Sequence, residues 1–559
     1  MLVSTAIVKI LQKEGVEILT CFPGNPIIEE AAKAGIRVVL ARNERVASNI
    51  ADAYSRVSCG LKTGVVATQA GPGTENVFPG VFHAFADGSP TLYLPAGMPT
   101  TRAGNVPGFF ALKNYQGATK WLGQLNHPSR LIELMHRAFT NIRNGKRGSV
   151  MLELPGDVTS AQVDDSVVEQ YRPVKMRRSM ADPADVREAV KAFLGAKAPV
   201  IYVGQGVFYS QAWDELREFA ELVQAPVITS LTGKSAFPEN HPLAAGTGGR
   251  SCPETVNHFM GKADLVLGVG TSFYINQYNI PIPPGKTIVQ ITVEPKDFSN
   301  DAPADIGLLG DAKLVLHQLI EEVKRQVGPN GRKNDTSVAQ ELKAVKEAWL
   351  QEWMPQLTSD ETPINPYRLH WDLMHTVDRA NTIITHDAGH PRDQLVPMWE
   401  TTVVRGYLSW GKTTTMGFGL GAAMGAKLAA PDKVCINVMG DGAFGMVGMD
   451  FETAVRCNIP IITVILNNGT MGGHNRALTV ATQRYNATNL SGDYAKIGEA
   501  LGAHVEKVTE PAGLVPAIQR AIKATKDGRA VLMDVRTRDL SGTSKALSLQ
   551  KLAKVTGGG

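Results

Sequence analysis

The chain has 559 residues, 43% of them hydrophobic and 20% charged, with a formal net charge of +4. Such a length divides into three or four domains of about 150 residues, and so small a charge gives no case for nucleic acid as a partner. Five scattered cysteines without a CxxC pair indicate neither a disulfide framework nor a zinc site, and a reducing cytoplasm fits them.

No run of about 18 uncharged apolar residues predicts a membrane span. The first twenty residues read as a helix followed by a strand, without the basic start of a signal peptide. Helical and strand patterns alternate through residues 1–165, with apolar runs VEILTCF, IRVVLA, TGVVAT, TLYLPAG and GSVMLEL. Glu44 follows IRVVLA and opens a helix towards Tyr54; taken alone it is a helix-start carboxylate favoured by the dipole. A second α/β segment, 183–335, contains APVIYVG, APVITS, ADLVLGVG and KTIVQITV. Gly204-Gln205-Gly206 and Gly268-Val269-Gly270 are read as turns after two of those strands. Without a third glycine and a placed acidic residue, they suit a tight turn as well as a nucleotide loop. Residues 336–360 predict a charged amphipathic helix leading into a third segment, 361–540, with a tail at 541–559. Strands alternating with helices predict parallel sheets covered on both faces, that is, three doubly wound α/β domains.

In the third segment, a strand over Val434 to Met439 runs into Gly440-Asp441-Gly442. A helical pattern follows over roughly 446–457, then a strand over Ile459 to Leu466, then Asn467-Asn468. The glycines let backbone approach a phosphate, and Asp441 and Asn468 leave the carboxyl ends of their strands, where open parallel sheets bind ligands. One carboxylate and one amide oxygen suit Mg²⁺, which takes few protein ligands alongside phosphate oxygens. GDG followed at this interval by NN resembles the thiamine diphosphate signature. Over nearly its full length the chain resembles the acetolactate synthase-like branch of thiamine diphosphate enzymes.

The resemblance implies pyrimidine-binding, central and diphosphate-binding domains, with thiamine diphosphate and Mg²⁺ as cofactors. Pro23, Gly24 and Asn25 look like the family's first cofactor loop. Glu44 falls where its activating glutamate stands, hydrogen-bonding the aminopyrimidine so that the thiazolium C2 proton can be removed. Pro72 and Asn76 lie in a loop similar to its glycine-proline-glycine loop beside the pyrimidine. Gly389 and His390 match a loop on the diphosphate side, 27 residues before Met416, whose side chain would wedge between the cofactor rings. Gly440, Asp441, Gly442, Ala443, Asn468, Met471 and Gly472 would lie along the diphosphate, and Asp441, Asn468 and the Thr470 carbonyl would hold the metal. The glutamate would come from one subunit and the GDG from another, making a homodimer the minimum active unit, with pairing into homotetramers possible. Some relatives carry FAD or an adenine nucleotide in the central domain.

Residues that face substrate depart from the pattern. The family often has His before the activating Glu; here it is Asn43. Acetolactate synthases carry a Phe-Gln-Glu segment where this chain reads Gly108 to Leu112, and a Trp where it has Ala477. The paired histidines of pyruvate decarboxylases are missing, since His127 stands alone. His83, His390 and His474 are candidates for proton transfer, His474 best placed because it follows Asn468 by only six residues. The basic tail, Lys545 to Lys554, could close over the site or meet a phosphate-bearing substrate. The expected activity is a lyase or carboligase acting on a 2-oxo acid or a 2-hydroxyacyl compound. Alternatives are a 2-hydroxyacyl-CoA lyase or oxalyl-CoA decarboxylase using an acyl-CoA, a silent homologue serving as a binding subunit, and a nicotinamide dehydrogenase.

Overall fold

The structure is a computed structural model that describes residues 1–276 and 278–540; the basic tail lies outside them. Among the described residues, strands form three sheets of six, and named strands pair in parallel. The first sheet holds β1 (Ile18–Cys21), β2 (Arg37–Leu40), β3 (Gly64–Thr68), β4 (Thr91–Gly97), β5 (Trp121–Gln124) and β6 (Val150–Pro155). The second holds β7 (Pro199–Val203), β8 (Val227–Ser230), β9 (Ala244–Gly248), β10 (Leu265–Val269), β11 (Thr287–Thr292) and β12 (Ile306–Leu309). The third holds β13 (Thr382–His386), β14 (Tyr407–Leu408), β15 (Val434–Gly440), β16 (Ile462–Asn467), β17 (His504–Val508) and β18 (Val531–Arg536). Strands β3, β4 and β6 are buried at every position, because helices cover both faces of a parallel sheet.

The first sheet runs β2-β1-β3-β4-β6-β5 and the third β14-β13-β15-β16-β18-β17, the same order counted from each domain's first strand. The middle sheet runs β12-β11-β10-β7-β8-β9, a doubly wound order whose winding reverses between β7 and β10. Three six-stranded parallel sheets with flanking helices are the predicted α/β architecture. Two local expectations change. Gly268 lies within β10, where a Cβ would sit 2.3 Å from the Phe273 ring; it is a packing glycine, while Gly270 makes the turn at φ +60°. The helix expected from residue 446 starts at Asp441, runs to Val447, and is separated by a 3₁₀ turn from a second helix, Phe451–Arg456. Gly442 and Gly445 weakened the apolar period that would have shown the earlier start.

The first and third domains meet through the helices Glu44–Val57 and Phe418–Ala429. Glycines make the approach possible: a Cβ on Gly425 would lie 2.2 Å from Ile50 O, and one on Gly421 2.6 Å from Asn49 Cβ. Val46, Ile50 and Ala53 thereby share a core with Phe418, Ala422 and Met424. Beside it lies a buried ionic cluster. The fully buried Arg56 guanidinium donates to both carboxylate oxygens of Asp52 (2.6 and 2.9 Å) and to Asp87 (2.9 Å). Asp87 also accepts from the backbone of Gly411 (3.3 Å) and Lys412 (2.9 Å), and Gln205 of the middle domain donates to its carbonyl. One residue thus ties all three domains.

Among the described residues, no helix is long and apolar enough to cross a membrane, and all five cysteines are free. Asp87→Ala should cost about 3–5 kcal/mol, because Arg56 loses a partner while staying buried; equilibrium denaturation would measure it. Burial also pushes His83 and His370 down to about 4 and His386 to about 3. These neutral histidines support the fold above their unfolded pKa of about 6.5 and withdraw that support as pH falls towards 4. Urea midpoints should therefore drop between pH 6.5 and 4, and His370→Leu should flatten that slope.

Candidate active site

At the carboxyl ends of β13, β15 and β16 lies a cleft of about 640 Å³. Every candidate residue from the third segment lines it: Gly389, His390, Met416, Gly440, Asp441, Gly442, Ala443, Asn468, Thr470, Met471, Gly472 and His474. Asp441 Oδ1 accepts from Gly442 N (2.8 Å) and Oδ2 from Gly469 N (2.8 Å), so one carboxylate joins the ends of β15 and β16. Burial raises its pKa against those amide donors. A bound cation would offset that desolvation cost. Asn468 Oδ1 accepts from Thr470 N (3.0 Å), which turns the loop back towards Asp441. Its neighbour Asn467 points the other way, bonding Asp534 (2.8 Å) and Arg536 (3.1 Å) inside the domain. Of the NN pair, therefore, only the second asparagine faces the cleft.

The cleft floor is narrow because its glycines have no side chains. A Cβ on Gly442 would meet Met471 Sδ at 2.7 Å and Met416 Cε at 3.6 Å, and one on Gly472 would meet His390 Cε1 at 2.5 Å. This cradle, the paired carboxylate and amide oxygens beside it, and the burial that raises the Asp441 pKa despite its amide donors suit a metal-bound diphosphate. His390 is pushed down from its usual range chiefly by burial, against the pull of Asp539, with Arg250 and His474 pushing it further. His474 is exposed at the start of a 3₁₀ turn.

Asp387 was missed in the sequence. It is fully buried at the end of β13, and its carboxylate accepts from Ala388 N (2.8 Å), Gly417 N (2.9 Å) and Gly419 N (2.9 Å). It fixes the loops carrying His390 and Met416, and an acid directly after the apolar run TIITH was its only signal. Arg45 donates to the Met416 carbonyl from the first domain.

The candidates of the first segment form a separate group, and none lines this cleft. Glu44 is buried, accepts from Asn76 Nδ2 (3.4 Å), and sits 3.1 Å from where a Cβ of Gly73 would be. The buried Thr68 hydroxyl nearby has no partner, a polar gap against a group yet to arrive. Pro72 and Asn76 are exposed beside it. Asn25 is spent on the backbone: its amide donates to Thr68 O (3.0 Å) and Leu94 O (2.8 Å) and accepts from Ile27 N (3.1 Å), holding the loop of the exposed Pro23 and Gly24. Asn43 caps the Glu44 helix, accepting from Arg45 N at 2.8 Å. Of the other histidines, His83 is packed between Trp410 and Phe418, away from the cleft lining, and His127 bonds Ser129 at the surface.

Comparison with known proteins gives three family matches. Residues 1–126 match "Thiamine pyrophosphate enzyme, N-terminal TPP binding domain", 186–319 the central domain, and 387–535 the C-terminal TPP binding domain. The chain is 31% identical over 547 residues to a probable acetolactate synthase large subunit of Methanocaldococcus jannaschii, covering 92% of this chain and 89% of the relative. It is 30% identical over 539 residues to the corresponding protein of Methanococcus aeolicus, with the same 92% and 89% coverage. It is 27% identical over 548 residues to a glyoxylate carboligase of Escherichia coli O157:H7, again 92% and 89%.

Asp387→Ala should destabilise the fold by about 1–3 kcal/mol for each buried amide left without an acceptor. Asp387→Asn, which keeps one oxygen, should cost less; paired denaturation curves would show the order.

Proposed function

This chain belongs to the thiamine pyrophosphate enzymes, in their acetolactate synthase-like branch, and forms carbon–carbon bonds, and we propose that it joins 2-oxo acids with Mg²⁺ as its metal. The observation that carries this reading is the cleft in which Asp441, Asn468 and Thr470 meet Met416, His390 and His474. When bound, thiamine diphosphate supplies a carbon nucleophile and an electron sink at its thiazolium ring. Asp441, the Asn468 side chain and the Thr470 carbonyl would hold the metal, three oxygen ligands for an ion that also takes phosphate oxygens. Gly440, Gly442, Ala443, Met471, Gly472, Gly389 and His390 line the diphosphate. Met416, anchored at its carbonyl by Arg45 and through Gly417 by Asp387, would pack its side chain against the cofactor rings. Glu44 would hold the aminopyrimidine, Pro23, Gly24, Asn25, Pro72 and Asn76 would shape that end of the site, and His474 would exchange protons with the substrate.

We propose further that each site is shared between two copies of the chain. The Glu44 group stands outside the cleft of its own chain, so a partner must bring it there. Both groups are flanked by exposed apolar side chains: Phe78 (40%) and Phe82 (38%) near Asn76, Met446 (57%) and Met449 (55%) beyond Asp441. Such surfaces are otherwise costly to leave in water. Beyond the ends of β7 and β10, a cavity of about 210 Å³ is lined by Gly204, Gln205, Gly206 and Gly270 of the middle domain together with Arg147, Arg178 and Lys412. Glycine backbone and cations there support an adenine nucleotide, alone or as part of FAD.

Asp441→Ala should lose cofactor retention in titration calorimetry with thiamine diphosphate and Mg²⁺, and Glu44→Gln should keep it while losing turnover. Mixed under subunit exchange, the two inactive variants should recover about a quarter of wild-type activity, since one site of each mixed dimer carries neither change. No recovery after exchange confirmed by mass spectrometry would place both residues in one chain's site.

A further inference from the structure

The cleft at Asp441 is built almost wholly by the third domain, yet the middle domain reaches it with Arg250 and Tyr278. The two are tied together, Arg250 N donating to Tyr278 O at 3.0 Å. The cleft's other arginines, Arg392, Arg476 and Arg538, all have interactions of their own. Arg392 is buried, paired with Asp393 at 2.7 Å, and stacked over the Tyr278 ring at 4.2 Å. Arg538 is paired with Glu361 at 2.5 Å. Arg250 is exposed at the cleft, and no described carboxylate lies within ion-pair distance of it. Its charge nevertheless reaches the cleft, where it opposes protonation of His390.

A diphosphate is already provided for by the glycine cradle and the oxygen ligands on β15 and β16. A guanidinium brought by another domain, with no internal partner, therefore has a different anion to meet. Joining two 2-oxo acids involves two carboxylates with opposite needs. The donor releases its carboxylate as carbon dioxide, and a strong ion pair would stabilise it against leaving. The acceptor keeps its carboxylate in the product, so an ion pair there orients the carbonyl without opposing the chemistry. We propose that Arg250 is a specificity-determining residue that receives the carboxylate of the acceptor 2-oxo acid, in a bidentate pair with Tyr278 alongside. Planar guanidinium geometry matches a carboxylate, and charge-assisted pairs of this kind are the strong ones. This assignment rests on reading the cleft as a 2-oxo acid carboligase site.

The test uses holoenzyme loaded with thiamine diphosphate and Mg²⁺, as wild type, Arg250→Met and Arg250→Lys. Calorimetric titration with oxamate, a non-reacting carboxylate, should show about ten- to a hundredfold weaker binding in Arg250→Met, with Arg250→Lys between. With pyruvate as donor, the ratio of kcat/KM for glyoxylate over that for uncharged acetaldehyde as acceptor should fall by a similar factor, through KM. Thiamine diphosphate affinity, titrated separately, should hold. Unchanged oxamate affinity and acceptor ratio in Arg250→Met would overturn the assignment. So would a loss of oxamate affinity matched by an equal loss of thiamine diphosphate affinity, which marks a structural role. If the wild type ligates no 2-oxo acid, the proposed function fails, and the oxamate titration alone decides for or against the anion site.

Discussion

The arrangement of this molecule depends on the buried contact between Arg56 and Asp87. Each sheet has its own core and could in principle hold together alone. Nothing in those cores dictates how the domains face one another. Asp87 does: it pairs with Arg56 in the first domain, accepts from Gly411 and Lys412 in the third, and offers its carbonyl to Gln205 in the second. Burying these charges gains little stability in itself, because desolvation consumes most of the attraction. Its effect is on choice among arrangements, since a displaced domain would leave a guanidinium or a carboxylate alone in the interior. Arg250 and Tyr278 reach the cleft of another domain only while that alignment holds.

Within the third domain the same device recurs on a smaller scale. Asp387 and Asp441 are both carboxylates placed where a strand ends, and both use their oxygens on backbone amides. Asp387 gathers the loops after β13 and before the Phe418–Ala429 helix, and Asp441 joins the ends of β15 and β16. Loops positioned this way present glycines and carbonyls in a fixed pattern without needing bulk of their own. Asp387 is entirely enclosed, whereas Asp441 lines the cleft. Of the two, only Asp441 has oxygens available to a ligand.

This division explains what could be read from the sequence. The three-sheet architecture was legible because buried parallel strands appear as short apolar runs separated by helical periods. The GDG and NN elements were legible because their spacing is local and their residue types are restricted by backbone approach and oxygen ligation. Asp387, Asp87 and Arg56 carry no such mark. Asp87 and Lys412 are 325 residues apart, and an acid in a helix looks the same whether it faces solvent or an arginine from another element. Asn43 and Asn25 show the converse: their cofactor motif was visible in the sequence, but not that one caps a helix and the other clamps a loop through backbone hydrogen bonds. The turn at Gly268 was misplaced because a packing glycine and a turn glycine are identical in sequence, and only Phe273 lying against it separates them.

The strand-end residues and the middle-domain residues of the cleft therefore sit on different structural footings. The residues suited to the diphosphate and metal project from the ends of adjacent strands in one sheet, whose hydrogen-bonded register allows little movement. The middle domain adds Arg250 and Tyr278, both outside its strands. Such positions can change residue type without disturbing a sheet, so selection on substrate acts there at little structural cost. A glyoxylate carboligase and acetolactate synthases resemble this chain to similar degrees, as expected when a shared cofactor scaffold dominates the comparison. Identity over the whole chain does not register a single side chain at the cleft mouth, and Arg250, without a described carboxylate partner, is such a side chain.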